Sequence, residues 1–230
     1  MLYIIFIFII ILLLYLGLLV YFKNPKGRDN KNFLIVVLLS GLWLILNFFE
    51  NIHGFGFFRE FFLRADFVVA PIVAYSWLIF LMDFLEKKPG KLIKKAILFS
   101  PLLILPFLVY KNLVIREISY DSILLFELGD YFWFYAFWVI IYFILANYYL
   151  LSKINNFKGI QKKQIKLILI GFFISSFLLT ISNLFFQNKI NTSLYRANSF
   201  SIIFLIIFTA YAILKYKLFD IKVVLQKGII

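Results

Sequence analysis

The residues that could carry out acid–base chemistry are few. The chain has a single histidine, His53, and the carboxylates nearest to it in sequence are Glu50 and Glu60. A catalytic histidine needs a carboxylate that orients it, whereas a lone loop histidine is more commonly a solvated side chain. The chain contains no cysteine, so thiolate catalysis, disulfides and cysteine metal sites are excluded. The sequence therefore predicts neither a catalytic site nor a metal site.

Phosphate-binding chemistry is also missing from the sequence. The segment Gly54-Phe55-Gly56 is rich in glycine, but no lysine and no helix signature follow it. A nucleotide-binding loop needs glycines that cradle the phosphates and a lysine that reaches them. We therefore expect a chain that is not an enzyme and that binds no cofactor.

Charged residues cluster around one short loop and could form a stimulus site. They are Glu50, Arg59, Glu60, Arg64 and Asp66. Glu60 and Arg64 are four residues apart and can pair on one helix face, whereas Arg64 and Asp66 do not share a face. One interpretation is that Arg64 holds an acidic group of a ligand or of another helix. The alternative is that these charges mark the membrane interface.

The elements that must position these residues are membrane helices. Apolar residues make up 64% of the 230 residues and charged residues 15%, which excludes an ordinary soluble domain. A membrane helix needs about 20 apolar residues, and the sequence predicts an all-α bundle of seven. The first run is expected to be retained, since it has no basic start and no small-residue cleavage site. The predicted spans are 2–22, 33–49, 65–85, 92–110, 131–151, 167–186 and 199–214.

The positive charges predict how the bundle is oriented. The net charge is +13, and 18 of the 24 Lys and Arg residues fall in alternate breaks between the spans, at the very start of the fourth span, or in the C-terminal tail. Short loops rich in Lys and Arg stay in the cytoplasm. Seven spans with this bias place the N-terminus outside and the C-terminus inside. The charge is therefore explained by topology, and no nucleic-acid partner is expected.

Two alternative functions remain open at this point. A small secondary transporter, or a protein that handles lipids, would normally carry ionisable groups near the membrane midplane. Here Arg64, Asp66 and Asp83 all lie near span ends. The other alternative is a non-catalytic membrane subunit that binds a partner protein.

Two stretches resemble the N-terminal seven-helix sensor region of bacterial histidine kinases. The first is the closing sequence TAYAILKYKLFDI, residues 209–221. The second runs from span two into span three and includes Leu42-Trp43, Asn47, Phe58-Arg59, the segment 62–67 and Pro71. The resemblance covers essentially the whole chain.

The resemblance implies a multi-pass signal-input module of the bacterial cytoplasmic membrane. Residues 1–217 would form the sensor domain, and residues 218–230 would lead to an output domain that this chain does not contain. The implied partners are the lipid bilayer, a second copy in a homodimer, and a kinase output domain in cis or in trans. The stimulus would be a small molecule, a peptide or a lipid of unknown identity.

The C-terminal tail could transmit the signal. Leu214, Leu218, Ile221 and Leu225 are spaced by 4, 3 and 4 residues, which is the heptad step of a coiled coil. On a continuous helix they would form one stripe that pairs with a second copy. One alternative is a segment that lies at the membrane interface, and another is a short strand, since apolar residues alternate from 219 to 225.

Overall fold

The computed structural model describes residues 2–50, 57–86, 99–119, 125–186 and 201–227. Within these ranges it has seven α-helices and one two-stranded antiparallel hairpin. The helices are α1 (Leu2–Lys23), α2 (Arg28–Glu50), α3 (Phe57–Glu86), α4 (Pro101–Tyr110), α5 (Phe132–Lys153), α6 (Gly159–Phe186) and α7 (Ser201–Lys227). The strands are β1 (Ile115–Ser119) and β2 (Leu125–Leu128), and a 3-10 turn (Ile154–Asn156) follows α5.

Six helices pack into a closed ring. Going round it, α1 contacts α2, α2 contacts α3, α3 contacts α5, α5 contacts α6, α6 contacts α7, and α7 returns to α1, while α4 packs on α3. Helices that follow one another in sequence run in opposite directions, as side-chain contacts show for α1 and α2, α2 and α3, α3 and α4, and α6 and α7. In the ring, α5 therefore runs parallel to α3, and α7 parallel to α1. We call the end at which α1, α3 and α5 finish the basic end, because Lys23, Arg28, Lys153 and Lys166 lie there.

Apolar side chains cover the outside of the bundle as well as filling its core. Leu13, Phe33 and Trp77 are fully buried, whereas Ile4 and Trp133 are 73% and 74% exposed. Such a surface suits hydrocarbon, where helices satisfy their own backbone hydrogen bonds. Among the described residues, four helical segments are long and apolar enough to cross a membrane: Phe6–Lys23, Arg28–Phe49, Glu60–Leu85 and Phe132–Asn156. The predicted bundle of helices is present, whereas seven membrane spans stay a prediction.

Most helices extend beyond the apolar runs that predicted them. α2 begins at Arg28, α3 at Phe57 and α6 at Gly159, each several residues before the predicted span. An apolar run marks the part of a helix that suits hydrocarbon, but helical hydrogen bonds form equally well between the polar residues beyond it. Residues 92–98 of the fourth predicted span lie outside the described residues. α4 has a proline, Pro101, in its first turn, where the missing N–H costs no hydrogen bond.

The hairpin between α4 and α5 is an element that the predicted all-α fold did not include. Asn112 has a φ of 60° and turns the chain after α4. The Gly129 N–H donates to the Val114 carbonyl at 2.8 Å, and a Cβ added at Gly129 would lie 2.2 Å from the Leu113 oxygen. Only glycine fits where residue 129 lies against the backbone of Leu113 and Val114. This close contact allows the chain to return beside α4 before α5 begins.

Helices α6 and α7 approach each other closely at one glycine. A Cβ added at Gly171 would lie 2.7 Å from the Cβ of Phe208, whereas a Cβ added at Gly41 would meet nothing nearer than Leu14 Cδ2 at 4.0 Å. Small residues let membrane helices approach closely and gain van der Waals contact. Gly171 therefore sets the separation of α6 and α7.

We expect Gly171→Ala to destabilise the bundle by about 1–3 kcal/mol, the usual cost of overpacking. The matched control is Gly41→Ala, which has room for the methyl group and gains helix propensity of up to about 1 kcal/mol. Unfolding in mixed micelles by a denaturing detergent measures both. Equal stability of the two variants would contradict the close approach at Gly171.

Candidate functional site

A buried arginine joins α3 to the end of α4. The Arg64 side chain is 10% exposed. Its Nε and Nη2 donate to Glu60 Oε1 at 2.9 and 2.5 Å, and its Nη1 donates to the carbonyl of Val109 at 2.9 Å. Val109 lies in the last turn of α4, where the carbonyls carry the negative end of the helix dipole. The Glu60–Arg64 pair that the spacing predicted is present, and the guanidinium also fixes α4.

Asp66 faces another direction and joins α3 to α2. Its Oδ1 accepts a hydrogen bond from Asn47 Nδ2 at 2.8 Å, and Asn47 is 8% exposed. A polar group in hydrocarbon is costly unless it is hydrogen-bonded, so this contact stabilises the α2–α3 interface. As expected from their spacing, Arg64 and Asp66 pair with different elements. The structure thus brings Glu60 and Arg64 together but not Asp66.

The other predicted site residues are described less completely. Glu50 is the last residue of α2 and Arg59 lies in the first turn of α3, but their side chains lie outside the described part of the structure. His53 and the segment 54–56 also fall outside it. A stimulus site built from all five charged residues therefore stays a prediction.

Sequence reasoning missed a second polar cluster, at the basic end. Asp83 has a side chain only 2% exposed, and its Oδ2 lies 2.7 Å from Arg28 Nη2. Asn32 Nδ2 donates to the same oxygen at 2.9 Å. A buried carboxylate is tolerated when it is paired and hydrogen-bonded. A signal was available, because Arg28 and Asn32 are four residues apart on one face of α2 and Asp83 interrupts an apolar run.

Side chains from two helices bind backbone carbonyls of α7. Lys23 Nζ of α1 donates to the Leu214 carbonyl at 3.3 Å. From α6, Gln164 Nε2 donates to the Ala212 carbonyl at 3.2 Å and Ser175 Oγ donates to the Ser201 carbonyl at 2.7 Å. These contacts fix α7 near both ends of its apolar part, Ser201–Lys215, and sequence reasoning identified none of them.

The backbone of α7 is helical from Ser201 to Lys227, so the short strand considered for the tail is wrong. Leu214 packs partly buried against the core of its own bundle. The side chains of Leu218, Ile221 and Leu225 lie outside the described part of the structure. Pairing of this stripe with a second copy stays a prediction.

The chemistry of these clusters is hydrogen bonding and ion pairing between helices. Within the described ranges, no three His, Asp or Glu side chains lie close enough together to hold a metal ion. What the clusters can do is fix the position of one helix against another, and a stimulus that changes one pairing would move the helices that it joins.

Replacing Arg64 should destabilise the bundle far more than replacing an exposed arginine. Arg64→Met removes both the link to α4 and the ion pair with Glu60, and breaking a pair whose arginine is buried costs about 3 kcal/mol. Arg116 pairs with Asp130, but their side chains are 48% and 65% exposed, so Arg116→Met should cost about 1 kcal/mol at most. Detergent-induced unfolding compares the two. Similar losses would show that Arg64 contributes no more than a surface charge.

Comparison with known proteins identifies the family of the chain. A family model described as the N-terminal 7TM region of histidine kinase matches residues 5–222. No curated protein and no solved structure matches the chain. The matched region begins in α1 and ends within α7, so it takes in the whole helical ring. The chain belongs to the family of N-terminal seven-transmembrane regions of histidine kinases.

Proposed function

We propose that the chain is the signal-input module of a histidine kinase or a similar signalling protein. It crosses the bacterial cytoplasmic membrane seven times, with its N-terminus outside and its C-terminus in the cytoplasm. The family match supports this function. The alternating helix directions and the position of 18 of the 24 basic residues support the topology.

The observation that carries the proposal is the continuity of α7. This helix starts in the buried core, where Ile206 and Ala210 are fully buried, and continues without interruption to Lys227. A continuous helix transmits rotation or sliding from one end to the other. The stimulus acts on the bundle, and α7 delivers the resulting movement to a kinase output domain in cis or in trans.

The polar residues of the bundle favour an input module over a transporter. Arg64, Asp66 and Asp83 each pair with a neighbouring element near a helix end. A transport pathway would need ionisable groups near the midplane, and these three residues instead set helix positions. The proposed assembly is a homodimer in which the stripe from Leu218 to Leu225 pairs with its copy. The stimulus is a small molecule, a peptide or a lipid.

The proposed topology predicts the activity of reporter fusions. Alkaline phosphatase from the bacterial periplasm folds to an active enzyme only outside the cytoplasm. Fused after Lys227 it should be inactive, and fused after Asn112, between α4 and the hairpin, it should be active. Strong activity after Lys227 would overturn both the orientation and the input function.

Inserting alanines between Lys217 and Leu218 tests transmission through α7. The chain is fused through Lys227 to the cytoplasmic core of a characterised histidine kinase, and autophosphorylation is measured in membrane vesicles. One alanine turns everything beyond it by about 100° and should change kinase output sharply. Seven alanines return the stripe to nearly the same face, about 20° away, and should largely restore it. Output equal to the parent for every insertion from one to seven would mean that α7 is only a tether.

A further inference from the structure

Helix packing divides the bundle into two groups. One group is the α1–α5 block, made of helices α1 to α5, in which α2 packs extensively on α1 and α3, and α3 on α5. The other is the α6–α7 pair, Gly159–Phe186 and Ser201–Lys227, whose two helices pack on each other about as extensively as α2 packs on α3. Among the described residues, the two ring interfaces between the groups, α1–α7 and especially α5–α6, have fewer contacts than the ring interfaces within each group. The ring is therefore closed by two small interfaces, α1–α7 and α5–α6, which we call the seams.

The α6–α7 pair is fixed internally at three levels. Gln164 binds the carbonyl of Ala212 near the basic end, Gly171 lies against Phe208 in the middle, and Ser175 binds the carbonyl of Ser201 at the far end. Gln164 and Ser175 are eleven residues apart on α6, and their partners Ala212 and Ser201 are eleven residues apart on α7. Both hydrogen bonds therefore belong to one antiparallel register. Sliding one helix against the other would break both hydrogen bonds and force Gly171 past a bulky ring. The pair is therefore built to move as one unit.

The α1–α5 block is fixed in a similar way. Asp83 joins α3 to α2 at the basic end, and Asp66 joins them at the opposite end. Asn30 of α2 donates to the carbonyl of Val20 in α1 at 2.5 Å and is 1% exposed. Arg64 holds α4. Buried polar contacts keep α1 to α4 in one register, and two aromatic pairs, Phe67 with Tyr135 and Tyr75 with Tyr142, hold α5 against α3.

The seams carry weaker contacts. Between α5 and α6, Phe143 and Phe172 meet edge to face with ring centroids 5.7 Å apart, an apolar contact that tolerates small displacements. Between α1 and α7, Lys23 reaches the carbonyl of Leu214 at 3.3 Å from an exposed position. An exposed hydrogen bond competes with water and contributes less than a buried one. It can break without leaving an uncompensated buried charge.

We propose that the α6–α7 pair moves as a rigid unit against the α1–α5 block, and that Lys23 is the releasable contact that holds the two together at the basic end. Because α7 continues from Leu214 to Lys227, any movement of the pair displaces the whole exit segment. The use of this movement in signalling rests on the proposed function, but the movement itself is a property of the bundle.

Spin-label distances in lipid nanodiscs test this proposal on the chain itself. The chain has no cysteine, so pairs of cysteines can be introduced for spin labelling without first replacing native ones. Three pairs of exposed positions at the basic end are used. Lys31 with Lys215 spans the two groups, Lys166 with Lys215 lies within the α6–α7 pair, and Lys31 with Leu151 lies within the α1–α5 block.

Lys23→Met should shift or broaden the Lys31–Lys215 distance by about 1–2 Å, the scale of helix shifts at packed interfaces. The distances within each group should stay as in the parent. The matched control, Lys26→Met, removes an exposed lysine three residues away and should change none of the three. Gly171→Ala serves as a positive control, because it should change the Lys166–Lys215 distance.

Two results would overturn the proposal. An unchanged Lys31–Lys215 distance in Lys23→Met would show that Lys23 does not hold the seam. An equal change of the Lys166–Lys215 distance would show that α6 and α7 do not move as a unit. Neither result changes what the reporter fusions and the alanine insertions are expected to show, so failure of this proposal is distinct from failure of the proposed function.

Discussion

The absence of water in the hydrocarbon core of a bilayer is the constraint on which this structure depends. Backbone groups there must be satisfied within the chain, so the spanning elements are helices. Apolar side chains can then cover the outside, as Ile4 and Trp133 do. Polar side chains must find partners inside the protein, and Asp66 and Asp83 both find them on α2. The few polar residues thereby become the contacts that set helix register.

Helix association in this environment depends on close packing and on a few hydrogen bonds, because lipid is as apolar as the helix surfaces. These contacts are distributed unevenly here. Gly171, Gln164 and Ser175 concentrate them between α6 and α7. The α5–α6 seam has an aromatic contact in their place. This uneven distribution gives the ring one stiff block, one stiff pair and two weak seams, an arrangement suited to relative movement.

Several features of the site were predictable from the sequence because they depend on local spacing. Glu60 and Arg64 are one helical turn apart, so their pairing follows from helix geometry. The partner of Arg64 on α4 was not predictable, since a backbone carbonyl has no sequence signature. The cluster at Asp83 was missed for a related reason. Its members are about 50 residues apart, and only the packing of α3 against α2 brings them together.

The sequence by itself determined that the chain is a membrane helical bundle and indicated its family. Hydrocarbon selects apolar runs, and the C-terminal stretch from Thr209 to Ile221 carries a recognisable pattern. Tertiary structure alone decided which helices are neighbours, which polar side chains meet, and that the tail continues α7 as a helix. The physical reason is that hydropathy reports how each segment interacts with lipid. It does not report which segment fits closely against another, because that depends on shape, as at Gly171, and on single hydrogen bonds to backbone atoms.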